Sequence, residues 1–250
     1  MVSKLRLVQA GSGDPRPLLI VYHAGMAENL ITDAVSSNTC VLFDIESKYD
    51  TLDVPGSPDS LPIAIQTAQQ LAGESFTPSP VILAAWSAGC QAIRSQLLAG
   101  YDPDAVVCAD GIHSATQPDV AQQIAPWQKY FARARAGDRV ALASHSSIEP
   151  SGFNSVAKTL NLITGQSFDR RGEPSDPVIQ SDGNLVFYSA TGDDAAAHIA
   201  QARVVLPRML ADLGSLPSGS HASALAFVAV VGGAAVGYAL ARYFLGGWKW

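Results

Sequence analysis

Six short stretches of the chain are apolar at nearly every position, and each is flanked by glycine or by polar residues. Apolar runs of this length, bounded in this way, predict buried β-strands. The run 80–86, which reads PVILAAW, is the clearest of them. The predicted strands cover residues 17–25, 39–45, 80–86, 105–110, 139–144 and 184–190.

Helical spacing of apolar residues fills the segments between these strands. In one of these segments Pro126 predicts a break or a kink. Strands that alternate with helices and are apolar throughout are typical of a sheet covered on both sides. We therefore predict an α/β fold with a mostly parallel central sheet and helices on both faces. The predicted helices cover residues 60–73, 88–99, 119–137, 153–165 and 195–214.

Residues with reactive side chains follow several of the predicted strands. Ser87 follows the third strand, Asp110 ends the fourth, and His145 follows the fifth. His198 comes eight residues after the last strand. Sites in parallel sheets form at the carboxyl ends of strands, so these side chains are expected at one edge. A serine hydroxyl needs an adjacent base to become a nucleophile, and a serine, a carboxylate and histidines in this order suit that chemistry.

The chain from about residue 15 to residue 213 resembles the α/β-hydrolase family. Residues 85–89, AWSAG, are similar to the G-x-S-x-G nucleophile elbow of that family, with alanine in place of the first glycine. That position needs only a small residue, because helix and strand pack closely there. The resemblance implies a serine hydrolase with Ser87 as nucleophile, His198 as base and Asp110 as the supporting acid.

The resemblance also implies an oxyanion hole made of two backbone N–H groups. One belongs to Ala88, directly after the nucleophile. The other belongs to Ala24 or to Gly25, in the loop after the first strand, where HAG is similar to the oxyanion loop of the family. His23 is expected to orient that loop through a side-chain hydrogen bond.

Other residues remain open as alternatives. His145 is the alternative base. Glu149 is the alternative acid, because the family usually places the acid after the strand that here ends at residue 144. Two acidic residues in the loop of the predicted base, Asp193 and Asp194, could serve instead. His113 either lines the pocket or lies on the surface, and Trp86 either packs in the core or contacts substrate.

Composition narrows the classes of partner. Hydrophobic residues make up 48% of the chain and charged residues 15%, which indicates a well-filled core. The net charge is −6 and no basic run is present, so a nucleic-acid partner is not expected. Cys40, Cys90 and Cys108 lie in or beside apolar runs without metal-ligand spacing. We expect them to be reduced and buried, and we expect neither a metal nor a cofactor.

The C-terminal part differs from the rest, because residues 222–241 contain no charged side chain. As a helix, such a segment would span roughly 30 Å, the thickness of the hydrocarbon core of a bilayer. Gly233 and Gly237 form a G-x-x-x-G pattern, which allows helices to pair closely. We therefore predict a hydrolase domain over residues 1–213, a linker over 214–221 and a transmembrane helix over 222–245. Aromatic and basic residues gather near its end: Tyr238, Arg242, Tyr243, Trp248, Lys249 and Trp250.

The leading hypothesis is a carboxylesterase-like serine hydrolase that acts on an accessible small-molecule or polymer ester. A second hypothesis is a non-catalytic interaction protein associated with a membrane or a virion. A third is a polysaccharide esterase or amidase with the same three residues. No N-terminal secretory signal is recognisable, so the catalytic domain is expected in the cytoplasm, with the apolar helix in a membrane or a protein assembly. Self-association through that helix is a further option.

Overall fold

The computed structural model describes residues 5–44, 60–116 and 119–213. Within these ranges lie ten strands: β1 (Leu5–Gln9), β2 (Arg16–Tyr22), β3 (Cys40–Asp44), β4 (Pro78–Trp86), β5 (Ala105–Ala109), β6 (Ser114–Ala115), β7 (Val140–His145), β8 (Phe153–Asn154), β9 (Val178–Asp182) and β10 (Leu185–Ser189). Eight of them form one sheet in the order β1-β3-β2-β4-β5-β7-β10-β9. The six inner strands are parallel, and β1 and β9 add antiparallel edges. The short strands β6 and β8 pair separately.

Helices fill the connections between the strands. A 3-10 turn precedes α1, another precedes α3, and a π-helical turn at Gln201–Val205 joins α6 to α7. The helices are α1 (Glu28–Ala34), α2 (Leu61–Ala72), α3 (Cys90–Leu98), α4 (Val120–Arg135), α5 (Val156–Thr164), α6 (Ala195–Ala200) and α7 (Leu206–Asp212).

Alternate side chains of the inner strands enter two hydrophobic cores, one on each face of the sheet. In β2, Leu18 and Ile20 belong to the core that also contains residues of α2, α3, α4 and α5. Leu19 and Val21, on the same strand, belong to the core that contains residues of α1 and α7. Because both faces are buried, the inner strands need apolar residues at every position, which is the pattern seen in the sequence. The predicted α/β architecture, with helices on both faces of a mostly parallel sheet, is confirmed.

All six predicted strands are present, and they are the six inner strands of the sheet. The sequence pattern missed β1 and β9, the two edge strands. Their residues, LRLVQ and VIQSD, are mostly half-buried or exposed and mix polar with apolar positions. A strand that buries only part of its surface does not require a continuous apolar run, so periodicity alone does not distinguish it from a loop. Helix α1 was missed as well.

Two predicted helices differ from expectation at prolines. The predicted break at Pro126 is absent, because α4 continues through this residue and buries it among the apolar side chains on its inner face. That packing offsets the backbone hydrogen bond that proline cannot make. The predicted helix 195–214 is two helices joined by the π-helical turn, where the N–H of Leu206 donates to the carbonyl of Gln201. Pro207 follows directly and has no N–H with which to continue the regular ladder.

The three cysteines are free thiols buried in the domain, as the sequence predicted. In the ranges that the structure describes, no helix combines the length and apolar character needed to cross a membrane. The predicted linker 214–221 and the predicted apolar helix 222–245 lie outside the described residues.

Candidate active site

Ser87 occupies a sharp turn at the carboxyl end of β4. The strand leads directly into the 3-10 turn Ser87–Gly89, and α3 follows at once. Ser87 has a φ of +53°, in the left-handed region that residues with a Cβ rarely adopt. A Cβ on Gly89 would lie 2.6 Å from the carbonyl oxygen of Tyr22, so the end of β2 packs against this turn. The glycine of the AWSAG pattern is therefore required by a close backbone approach.

Ser87, His198 and Asp110 form a continuous hydrogen-bonded chain, called here the Ser–His–Asp cluster. Ser87 Oγ lies 2.8 Å from His198 Nε2, and His198 Nδ1 lies 2.8 Å from Asp110 Oδ2. The register of the sheet explains how the serine meets the acid. Trp86 on β4 pairs with Ala109 on β5, so Ser87 and Asp110 each stand one residue beyond a paired position.

Gly111 allows the loop after β5 to touch the serine turn. A Cβ at this position would lie 2.0 Å from the carbonyl oxygen of Ser87 and 2.6 Å from the Sγ of Cys90. No side chain fits in that space. Asp110 itself has a φ of +46°, a second left-handed residue with a Cβ at this edge of the sheet. The Asp-Gly pair is thus more than a plain turn, because it holds the carboxylate beside the serine.

The Asp110 carboxylate is buried, with 2% of its surface exposed, and it is fully supplied with donors. The Ser146 N–H donates to Oδ1 at 2.8 Å, and the Ser146 hydroxyl donates to Oδ2 at 2.6 Å. Burial raises the pKa of Asp110, but the hydrogen bonds from His198 and Ser146 lower it more, so the pKa lies below its ordinary value. Asp110 is therefore ionised at neutral pH.

An ionised Asp110 determines which nitrogen of His198 carries the proton. A carboxylate only accepts hydrogen bonds, so His198 Nδ1–H is the donor to Asp110. In the neutral ring Nε2 is then an acceptor, and it faces the hydroxyl of Ser87. This is the arrangement in which an imidazole can take the proton of a serine.

His198 lies on α6, a six-residue helix with no buried residue, so contacts from neighbouring groups hold it. Asp194 caps this helix by accepting from the Ala197 N–H at 2.8 Å. Trp86 Nε1–H donates to the backbone carbonyl of His198 at 2.9 Å. The same indole lies against the imidazole, with ring centroids 4.8 Å apart.

Sequence reasoning missed the contributions of Ser146 and Trp86. Ser146 directly follows the end of β7, so its place at the same sheet edge as Asp110 was the available signal. Trp86 was considered only as core packing or as a substrate contact. Its position as the last residue of β4, next to the serine, pointed to the same edge.

The residues predicted as oxyanion donors lie at this edge too. Ala88 is the second residue of the serine turn. Ala24 is fully buried and comes two residues after Tyr22, which pairs with Ala85 on β4. Ser87 likewise comes two residues after Ala85. Ala24 and Ser87 therefore lie at matching positions beyond the paired ends of β2 and β4.

Gly25, the alternative donor, begins an exposed 3-10 turn after Ala24. His23 has a φ of +57°, and its ring stacks on that of Trp86 at a centroid distance of 5.4 Å. A hydrogen bond by which His23 orients the oxyanion loop stays a prediction.

His145, the alternative base, is engaged elsewhere. Its side chain is completely buried, and Nδ1 lies 3.2 Å from the carbonyl of Ser146 while Nε2 lies 2.8 Å from the hydroxyl of Ser189. A carbonyl can only accept, so Nδ1–H donates to it and the Ser189 hydroxyl donates to Nε2. Phe168 packs edge-on against the ring. Burial lowers the pKa of His145 to about 4, so the ring is neutral at neutral pH.

The alternative acids lie at the surface. Glu149, Asp193 and Asp194 are exposed, and it is Asp110 that meets the imidazole of His198. His113 is partly buried, and its Nδ1–H donates to the carbonyl of Asn154 at 3.0 Å. Burial lowers the pKa of His113, and Asp110 and His198 are close enough to influence it electrostatically.

The buried His145 should make stability depend on pH. Between about pH 6.5 and pH 4 the unfolded chain binds a proton on this residue that the folded chain does not bind. Lowering the pH through that range should therefore reduce the free energy of unfolding, by roughly 2–3 kcal/mol for this one group. We expect His145→Gln to remove this part of the pH dependence of the free energy of unfolding, as measured by urea unfolding at a series of pH values. Stability curves of the two proteins that run parallel from pH 7 to pH 4 would contradict it.

Comparison with known proteins gives structural neighbours only. No protein-family model matches the sequence, and a search of curated proteins gives no match. Among solved structures, the chain is similar to TT1662 from Thermus thermophilus, with 18% identity, a TM-score of 0.44, and coverage of 82% of this chain and 96% of that one. It is also similar to YbtT, a type II thioesterase from the yersiniabactin pathway, with 12% identity, a TM-score of 0.38, and coverage of 83% and 97%.

A third neighbour is a lipase-esterase related protein from Clostridium acetobutylicum ATCC 824, with 12% identity and a TM-score of 0.38. That match covers 83% of this chain and 96% of the other. All three TM-scores are below 0.5.

Proposed function

We propose that the protein is a serine hydrolase that cleaves an ester through an acyl-enzyme on Ser87. The observation that carries this proposal is the Ser–His–Asp cluster, in which two hydrogen bonds of 2.8 Å link Ser87 to His198 and His198 to Asp110. The buried, ionised Asp110 and the acceptor nitrogen facing the serine give each of the three residues a distinct role.

In the acylation step, the Ser87 hydroxyl attacks the ester carbonyl carbon. Its O–H bond breaks as His198 Nε2 takes the proton, and a new bond forms between Oγ and the carbon. Asp110 keeps its negative charge and stabilises the imidazolium through the Nδ1–H hydrogen bond. The protonated His198 then gives its proton to the leaving alcohol as the ester C–O bond breaks, which leaves the acyl group on Ser87.

The tetrahedral intermediate carries a negative oxygen that needs hydrogen-bond donors. The N–H groups of Ala88 and Ala24 are the proposed donors. Ala88 lies in the serine turn and Ala24 directly precedes the turn after β2, so both donors are backbone groups at strand ends and little reorganisation would accompany the reaction. In deacylation His198 Nε2 takes a proton from water while the water oxygen bonds to the acyl carbon. The bond between that carbon and Ser87 Oγ then breaks, His198 returns the proton to Oγ, and the acid is released.

The proposed substrate is an ester open to solvent, because Ser87, in its 3-10 turn, and His198, on α6, are both partly exposed. A polysaccharide ester or an amide would use the same three residues. Turnover of acyl esters of increasing chain length, compared with acetylated glycans, distinguishes these substrates.

Removing the nucleophile should abolish turnover while the fold remains. We expect Ser87→Ala to lower kcat for an activated ester such as p-nitrophenyl butyrate by about 10⁵-fold, because no other hydroxyl faces His198 Nε2 in the described structure. A fluorophosphonate probe should label the wild-type chain on the peptide that contains Ser87.

The matched control is Ser95→Ala, on the helix that follows the serine turn. Ser95 donates to the carbonyl of Gln91, away from the cluster, so this variant should be labelled at the wild-type rate. A folded wild-type chain that the probe does not label at Ser87 would overturn the proposed function.

The supporting acid is tested by Asp110→Asn. An asparagine amide that donates toward His198 Nδ1 would move the ring proton to Nε2. A protonated Nε2 can no longer accept the proton of Ser87. We expect kcat to fall by about 10³–10⁴-fold. Glu149→Gln is the control, because Glu149 is exposed and should change kcat by less than about twofold. A large loss in Glu149→Gln with little loss in Asp110→Asn would exchange the two assignments.

We further propose that residues 222–245 anchor the hydrolase domain to a membrane. The support is the uncharged stretch 222–241 and the aromatic and basic residues that follow it. Pairing of these segments through Gly233 and Gly237, or packing in a protein assembly, would be the alternative use of the same residues.

The anchor is tested in the full-length chain by co-flotation with phosphatidylcholine vesicles. Val231→Arg places a charge near the middle of the apolar segment, which costs about 2.5–3.5 kcal/mol in a membrane, so flotation should be lost. Val231→Leu should float like the wild type, and both should hydrolyse a soluble ester equally. Equal flotation of the two variants, or a wild-type chain that stays with the aqueous fraction, would argue against a membrane anchor.

A further inference from the structure

We infer that Trp86 is a positioning residue for the proposed base, holding the backbone of His198 with its indole N–H and stabilising the imidazolium with its ring face. This inference rests on the proposed function, because stabilising the imidazolium assists the reaction only if His198 takes the proton of Ser87. It assigns a specific role to the residue between Ala85 and the serine in the AWSAG pattern.

Strand geometry places Trp86 on the correct side of the sheet. Successive side chains of a strand point to opposite faces, so Ala85 and Trp86 enter different cores. Ala85 packs with the core that contains α3 and α4, whereas Trp86 packs with the core that contains the π-helical turn and α7. Those elements follow His198 directly in the chain. The residue before the serine is therefore the one whose side chain faces the helix that carries the base.

The hydrogen bond from Trp86 acts on a weakly held element. No residue of α6 is buried, and the regular helix gives way to the π-helical turn three residues after His198. The indole N–H donates to the His198 carbonyl, with 2.9 Å between Nε1 and the oxygen. Trp86 itself is buried, with 6% of its surface exposed. Two adjacent residues at the end of β4 thus have different tasks. Ser87 is the proposed nucleophile, and Trp86 holds the backbone of the proposed base.

The ring contact adds an electrostatic role. The centroids of Trp86 and His198 are 4.8 Å apart and the planes are inclined by 38°. A cation within about 6 Å of an aromatic centroid is attracted by the ring, and tryptophan is the strongest such partner. Asp110 stabilises the imidazolium along the Nδ1–H bond, and Trp86 would stabilise it through the ring face.

Other titratable groups also surround this pair of rings. Asp110 is hydrogen-bonded to the imidazole, and His113 interacts with it electrostatically. His23 stacks on Trp86, and Asp194 caps the helix of His198. None of these residues is itself replaced in Trp86→Phe, and fluorination of the indole keeps its ring and its N–H, so the two changes together test the contribution of the indole.

The test measures the rate at which a fluorophosphonate probe labels Ser87, as a function of pH. Trp86→Phe keeps an aromatic face but loses the N–H donor and weakens the attraction to a cation. We expect labelling on the neutral plateau to slow by about tenfold, and the acid limb of the profile to move to lower pH by about half a unit. The limb moves down because a less stabilised imidazolium forms only at higher acidity.

A second probe keeps both the ring and the N–H. Uniform replacement of tryptophan by 5-fluorotryptophan withdraws charge from the ring face, so the acid limb should move down while the plateau rate stays within about twofold. The Trp86→Phe chain with the same replacement should show no further movement. Trp127→Phe is the packing control, because Trp127 is also buried but lies on α4, against Phe131.

The outcomes separate the inference from the proposed function. A wild-type chain that is not labelled at Ser87 would overturn both. Normal labelling of the wild type, with Trp86→Phe and Trp127→Phe giving the same rate and the same acid limb, would overturn the role of Trp86 alone. A slower plateau in Trp86→Phe without any movement of the limb, in that variant or in the fluorinated chain, would reduce Trp86 to a packing residue and overturn the inference.

Discussion

The candidate site depends on a single buried negative charge. Moving a carboxylate out of water is costly unless hydrogen bonds replace the lost hydration, and Asp110 receives them from His198 and from two groups of Ser146. The hydrogen bonds to this charge connect the ends of three strands. Asp110 follows β5, Ser146 follows β7, and His198 follows β10. Close approach of backbone at Gly111 then brings the acid against the nucleophile turn. The arrangement of the site therefore follows from the protein hydrogen bonds that replace water around Asp110.

The inner strands of the sheet and the position of the candidate site could be predicted from the sequence. The inner strands are buried on both faces and so are apolar, and the predicted site residues follow strand ends. The order of Ser87, Asp110 and His198 along the chain, the rule that parallel strands end at one edge, and the resemblance to the α/β-hydrolase family together led to these three residues. His145 and Glu149, which also follow a strand end, remained alternatives because the sequence alone does not show which side chains meet. The edge strands β1 and β9 could not be predicted from the same signal, because half-buried strands tolerate polar residues. The roles of Ser146 and Trp86 depend on side-chain contacts across 36 and 112 positions, which no local pattern encodes.

The two faces of the sheet contribute differently to the site. The face covered by α2, α3, α4 and α5 carries the helix that follows the serine and most of the large aromatic residues, including Trp127 and Phe131. The opposite face carries the shorter α1, the π-helical turn and α7, and it is the side on which Trp86 meets the segment that bears His198. The turn of Ser87 leads directly into α3, which lies on the first of these faces. The proposed base belongs to a short helix that the indole of Trp86 and the carboxylate of Asp110 hold to the ends of β4 and β5.

Three neighbouring strands, β2, β4 and β5, end in left-handed residues that are not glycine: His23, Ser87 and Asp110. Each such conformation costs on the order of 1–3 kcal/mol, and together they amount to an appreciable fraction of the net stability of a typical domain. Glycine at any of the three would relieve the strain but would remove an imidazole, a hydroxyl or a carboxylate from the site. At position 110 glycine would also leave the N–H and the hydroxyl of Ser146 without their acceptor, so relief of backbone strain there would be offset by the loss of buried hydrogen bonds. Backbone strain at this sheet edge is thus coupled to the hydrogen bonds of the site, and a variant that relieves the strain does not necessarily gain stability.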